Sequence, residues 1–179
     1  MLPEGYAVSP LALDDAGPLA AAHVRNREHL RPWEPTRPAE FFTEAGQRAV
    51  VGERVALVDR GLYDCWVLWH GRDLVGAATL QNIVRGAMQG ADVGYWVDAG
   101  HLRRGLATAA VRFLAARGRE LGLHRIGAAT MVENAASQAV LRRCGFERYG
   151  TISAFLHLNG AWRDHAVFNL VLHDEPPGA

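Results

Sequence analysis

Two runs of residues carry types and spacings that could do chemistry. The first extends from Val93 to Thr108 and reads VGYWVDAGHLRRGLAT. It is an alternating segment ending at Val97, a short loop, then Arg103, Arg104, Gly105, Leu106, Ala107 and Thr108 opening a helix. The first turn of a helix has N–H groups without internal partners and the positive end of the peptide dipole. Gly105 and Ala107 let a ligand come close to that backbone, and an anion such as pyrophosphate suits the place. Arg103 and Arg104 add side-chain charge. Taken alone, the run is equally an ordinary helix start with two solvated arginines. The second run, Glu133 to Phe146, reads ENAASQAVLRRCGF. Asn134 opens a helix directly after a strand, and its amide can cap that helix or hold a ligand's amide arm. Ser137 falls one turn later, so both polar groups can face one cleft.

Composition narrows the chemistry. Among 179 residues there are 19 Arg and no Lys, balanced by 19 Asp plus Glu. A Schiff-base lysine is excluded, and so is a Walker-type phosphate loop. A net charge of zero argues against a nucleic-acid partner. Cys65 and Cys144 stand far apart, without a Cys-x-x-Cys, which argues against a disulfide framework or a cysteine zinc site. The eight His include no His-Glu-x-x-His, so no metal site is expected. None of the three Ser sits in Gly-x-Ser-x-Gly, which argues against a serine hydrolase. Without a long apolar run or a leader-like segment, the chain is expected to be soluble and cytoplasmic, with no membrane contact.

These runs need elements to hold them. Strands are predicted at 6–13, 64–70, 74–84, 92–97, 124–131, 146–157 and 161–172. Helices are predicted at 16–29, 39–59, 105–121 and 134–143. Pro32 and Pro35 interrupt the first helical stretch. Asn159-Gly160 joins the last two strands as a hairpin turn. No repeat or linker appears, so residues 1–179 are read as one domain. Helices interleaved with hairpins and single strands imply an α/β fold with a mixed sheet.

Together the two runs resemble the GNAT acetyltransferase superfamily. That family holds the coenzyme A pyrophosphate with Arg/Gln-x-x-Gly-x-Gly/Ala, matched here by Leu102-x-x-Gly105-x-Ala107 with Leu in the first place. The run Asn26 to Pro35, NREHLRPWEP, is similar to the RimJ/RimL type of ribosomal-protein N-acetyltransferase. Gly94-Tyr95-Trp96 and the segment Asp164 to Phe168 fit that branch too. The resemblance implies a mostly antiparallel central sheet of about six to seven strands flanked by helices. A splayed cleft would lie between strands 92–97 and 124–131.

It also implies acetyl transfer from acetyl-CoA to a primary amine, by direct attack in a ternary complex and without metal. The amine would be a protein N-terminus or a small molecule. Backbone groups of Trp96 and Val97 would meet the pantetheine arm, with Asn134 bonding it. Residues Arg103 to Thr108 would hold the pyrophosphate, and Ser137 would serve the leaving sulfur. Asp92 takes the place of the carboxylate that many members use as base. The Tyr acid of many relatives is absent, Arg142 standing near its position. The Glu of some RimL-type enzymes is missing from Ala154 to Leu158, where His157 stands in its neighbourhood. Trp33, Gln81, Asn82 and His157 would line the acceptor side, with Arg31 and Glu34 setting charge preference. A homodimer is expected from the branch. Two alternatives stay open: a non-catalytic acyl-CoA-binding module, and the same fold using another donor such as succinyl-CoA. Because the chain has no lysine, long incubation with acetyl-CoA is expected to add at most one acetyl group, at Met1, by intact-mass measurement.

Overall fold

The computed structural model describes residues 2–176, so Met1 lies outside them. Seven strands form one sheet: β1 (Tyr6–Pro10), β2 (Asp64–His70), β3 (Asp73–Val84), β4 (Gly90–Val97), β5 (Arg125–Met131), β6 (Glu147–Leu158) and β7 (Ala161–Val171). Their order is β1-β2-β3-β4-β5-β7-β6. Every neighbouring pair is antiparallel except β4–β5, which is parallel. The expected mixed, mostly antiparallel sheet is therefore present.

The helices are α1 (Ala16–Arg25), α2 (Arg27–Leu30), α3 (Glu44–Asp59), α4 (Leu106–Glu120) and α5 (Ala135–Arg143). Apolar positions on α4 recur at helical spacing, and Leu106, Ala110, Val111 and Leu114 are fully buried against Leu80, Ile126 and Phe168 of the sheet. On the other face, Leu19, Ala22 and Val51 of α1 and α3 pack on Val67 and Leu74. Three sequence expectations change. The first strand, read as 6–13, ends at Pro10, and Leu13–Asp15 forms a 3-10 turn. The first helical stretch divides at Asn26, whose backbone leaves helical geometry (φ −102°, ψ 10°). The 39–59 stretch begins as a 3-10 turn over Ala39–Phe42, and α3 starts afresh with the Thr43 hydroxyl accepting from the Gly46 N–H at 3.0 Å.

The edge strand β6 shifts register twice against β7, between Arg148 and Gly150 and between Ile152 and Leu156. In the second shift Ala154 takes φ +48°, and its N–H donates to Asp164 Oδ1 at 2.8 Å. The last hairpin turns at Asn159 and Gly160, both at positive φ, as the Asn-Gly pair predicts.

Gly76 sets how closely β3 approaches β4. A Cβ there would lie 2.5 Å from the Trp96 carbonyl oxygen and 3.0 Å from Leu68 Cδ1. The first neighbour is backbone and cannot step aside. Gly76→Ala is expected to destabilise the protein by about 2 kcal/mol or more, read as a lower urea midpoint with an unchanged slope.

Candidate active site

The sheet opens at β4 and β5. They pair only over Gly90–Arg125, Ala91–Ile126 and Asp92–Gly127. Beyond that each strand follows its other neighbour: β4 stays with β3 up to Val97, and β5 stays with β7 up to Met131. The gap is a cleft of about 340 Å³ lined by Val93, Gly94 and Tyr95 on one wall and residues 128–131 on the other. Asn134, Ser137, Trp33 and His157 also line it.

The register decides which backbone groups face the gap. The Asp98 N–H donates to the Val75 carbonyl at 2.8 Å. Hydrogen-bonded pairs alternate along an antiparallel ladder. Trp96–Ala77 and Gly94–Thr79 are therefore the bonded pairs. Val93, Tyr95 and Val97 turn their N–H and C=O groups toward the β5 side; the Asp92–Gly127 pairing still takes up the Val93 N–H, and β5 no longer reaches Tyr95 and Val97. Trp96, expected to offer its backbone alongside Val97, is committed to β3. Tyr95 takes that place.

Asn134 uses only half of its amide within the protein. Its Oδ1 accepts from the Ser137 N–H at 3.0 Å, capping α5, while Nδ2 remains for a ligand in the cleft. Ser137 Oγ lies 2.9 Å from the Tyr95 hydroxyl. Burial pushes the Tyr95 hydroxyl up to about 12, beyond what its bond to Ser137 offsets, so it stays protonated at neutral pH. No sequence pattern singled out Tyr95; its signal was the Gly94-Tyr95-Trp96 triplet together with the strand's alternation.

From β4 the chain runs into α4. Gly105 precedes the helix at φ +77°, with open space where a Cβ would stand. Arg103 and Arg104 are exposed and unpaired among the described residues. Leu106 buries its side chain in the core, so it offers only backbone there, while Ala107 and Thr108 are half-buried beside it. Gln81 lines a separate cavity on the α1/α3 face of β4. Asp92 and Asn82 are exposed and bonded to each other at 3.0 Å. They sit where β4 and β5 are still paired, and they line neither cavity. The geometry thus does not bring Asp92 to the cleft.

The loop between β4 and α4 is tied down by a buried polar cluster. Asp98 Oδ2 accepts from Arg25 Nε and from Asn26 Nδ2, both at 2.7 Å, and its Oδ1 accepts from the Gly100 N–H at 2.8 Å. Asn26 Oδ1 accepts from the Ala99 N–H at 2.8 Å. Arg25 Nη2 donates to the Leu74 carbonyl at 2.8 Å. Burial alone would push the Asp98 carboxyl up, but the bonds from Asn26, Gly100 and Arg25 outweigh it and hold the group below its usual range. A folded pKa below the unfolded value of about 3.9 means that the stabilisation is complete above that pH and lost as pH falls through the folded pKa. Asp98→Ala, which strands the Asn26 and Gly100 donors, is expected to cost about 2–3 kcal/mol at neutral pH. Urea denaturation across pH should show the gap between wild type and variant closing on acidification below about pH 4.

This geometry has known counterparts. The acetyltransferase (GNAT) domain family matches residues 7–147. A probable N-acetyltransferase of Bacillus subtilis, YjcK, is 32% identical over 171 residues, 94% of each chain. The crystal structure of ribosomal-protein-S5-alanine acetyltransferase from Vibrio fischeri superposes with a TM-score of 0.92 at 32% identity, covering 97% of each chain. Mycobacterium smegmatis RimJ, in complex with CoA-disulfide, superposes with a TM-score of 0.88 at 29% identity, covering 93% of this chain and 81% of its own. The chain belongs to the GNAT acetyltransferase family and groups with ribosomal-protein acetyltransferases of the RimJ and RimL kind.

Proposed function

We propose that the chain is one acetyltransferase domain that moves the acetyl group of acetyl-CoA to a protein N-terminal α-amine, with small primary amines as the second acceptor class. The observation that carries this is the β4–β5 fork, whose free backbone edge at Tyr95 and Val97 leads directly to the unpartnered start of α4. The site fits the donor: an amide-bearing arm needs an extended strand edge and the free Nδ2 of Asn134, and a pyrophosphate needs helix-start N–H groups. The peptide acceptor rests on the relatives, one of which is named for the alanine of ribosomal protein S5.

Acetyl-CoA supplies an activated acetyl group; the chain's own residues position and discharge it. The backbone of Tyr95 and Val97 and the Asn134 amide hold the pantetheine arm. N–H groups of residues 105–108 take the pyrophosphate, with Arg103 and Arg104 beside them. An N–H donor fixed at the reacting carbonyl stabilises the charge that develops on its oxygen. Ser137 gives a proton to the departing sulfur, and the Tyr95 hydroxyl backs it. Trp33, Gln81 and His157 wall the acceptor side. Two parts of the reading rest on the family alone: residence in the cytoplasm and action as a homodimer.

The test is thiol release from acetyl-CoA with N-terminal peptides, polyamines and small amines as acceptors, and with succinyl-CoA as a competing donor. Turnover with an amine and acetyl-CoA is the expected result. Coenzyme A binding without turnover would favour the binding-module reading, and preference for succinyl-CoA the alternative donor. Asn134→Ala is expected to raise the acetyl-CoA KM about tenfold with little change in kcat, the worth of one hydrogen bond. Ser137→Ala should instead lower kcat.

A further inference from the structure

A second cavity system meets the cleft from the α1/α3 side. An inner cavity of about 170 Å³ lies against Gly94, Tyr95 and Trp96, and an outer one of about 290 Å³ lies beside α2 and Asn159. The two share His23, Glu34 and Arg37. The inner cavity shares Gly94 and Tyr95 with the cleft, and the outer shares Pro35 with it. The segment Trp33-Glu34-Pro35 is thus where all three come together.

Glu34 is the sole acidic residue lining any of the three. It is half-buried, and among the described residues no hydrogen bond or ion pair engages its carboxylate. The charged and titratable groups around the inner and outer cavities are His23 on α1, Arg27 on α2, Arg31 and Arg37 on its own segment, Arg54 on α3 and Tyr95 on β4, while His157 on β6 and His165 on β7 line the cleft but neither of the two cavities that Glu34 lines. Apart from the two cleft histidines, none of the others is a good base at neutral pH. His23 stacks between Phe41 and Trp96, at centroid distances of 4.8 and 5.1 Å, and burial with Arg54 and Arg37 nearby lowers its pKa to about 4. Tyr95 stays protonated, and a guanidinium offers donors and no acceptor. Burial raises the proton affinity of Glu34, and Arg37 and Arg54 only partly oppose this.

We propose that Glu34 is the catalytic base, its carboxylate taking a proton from the acceptor ammonium at the junction of the acceptor cavities and the cleft. This rests on the acetyltransferase reading. The ammonium gives one proton to Glu34, and the freed nitrogen lone pair forms the C–N bond to the acetyl carbon. The C–S bond breaks, and its electron pair goes to sulfur. The second proton leaving nitrogen balances the one that sulfur receives through Ser137. Glu34 then returns its proton to water through the outer cavity. Asp92 is not needed.

The test compares wild type and Glu34→Gln with two acceptors: the more basic is a peptide α-amine, assayed below its usual pKa of about 7.7–8.0 and so mostly protonated, and the other is a weakly basic amine already neutral at the assay pH. Wild-type kcat/KM should fall as pH drops through the pKa of Glu34. Glu34→Gln should lose that limb and about 10²-fold in rate with the basic amine, keep its thermal midpoint and acetyl-CoA KM, and recover most of the rate with the neutral amine. Glu34→Asp should retain the limb at reduced rate. An unchanged pH profile in Glu34→Gln, or equal loss with both amines, would overturn the proposal. If wild type releases no thiol with any acceptor, the acetyltransferase reading itself fails, which is a distinct outcome.

Discussion

Three residue pairs of parallel ladder between β4 and β5 are the constraint on which the rest of the molecule depends. More pairing would close the sheet and leave nowhere for an extended ligand. Less would separate the two halves of the core that α4 bridges. The opening follows from divided loyalty, since β4 is held along its length by β3 and β5 by β7. The strand edge left free at Tyr95 and Val97 is costly to bury unpaired, at about 1–3 kcal/mol for each stranded group. It is kept in a cleft that a ligand or solvent can enter. Binding an amide-rich arm there completes a ladder the fold leaves unfinished.

The buried cluster at Asp98 serves that opening from outside it. Asn26 breaks the first helical stretch, and its amide, fully excluded from solvent, ties α1 to the loop that precedes α4. Arg25 adds a tie to β3 through the Leu74 carbonyl. The loop before α4 and the end of α1 are therefore referenced to the same carboxylate. A displacement of either would strain bonds shared with the other, which couples α1 to the loop before α4 mechanically through the scaffold.

Much of this was legible in the residues. Strand 64–70 was read to the residue, and Asn159-Gly160 and the α4 and α5 starts were read nearly so, because turn chemistry and capping are local. Asn134 caps its helix with oxygen, the first of its two readings, and leaves its nitrogen free. Legibility failed where the answer depends on pairing across the sheet. Whether Trp96 or Tyr95 presents its backbone to the cleft depends on a one-residue choice of register that alternation alone does not make. Asp92 is near the cleft in sequence and outside it in space, because the fork begins one residue later. Asn26 was read only as part of a family run, since a buried clamp and a surface amide look alike in one dimension. Glu34 drew notice only for charge, because its isolation depends on three cavities that meet only after folding.

The interruption of β6 bears on how copies of the chain can associate. An outermost strand ordinarily offers a row of unpaired N–H and C=O groups on which another strand can grow. Here the positive φ of Ala154, with its N–H turned back to Asp164, breaks that row in the middle of the strand. A neighbouring molecule adding by sheet extension would find a continuous ladder on only one side of the break. The same irregularity that shapes the wall beside His157 therefore also hinders strand addition at this edge of the sheet.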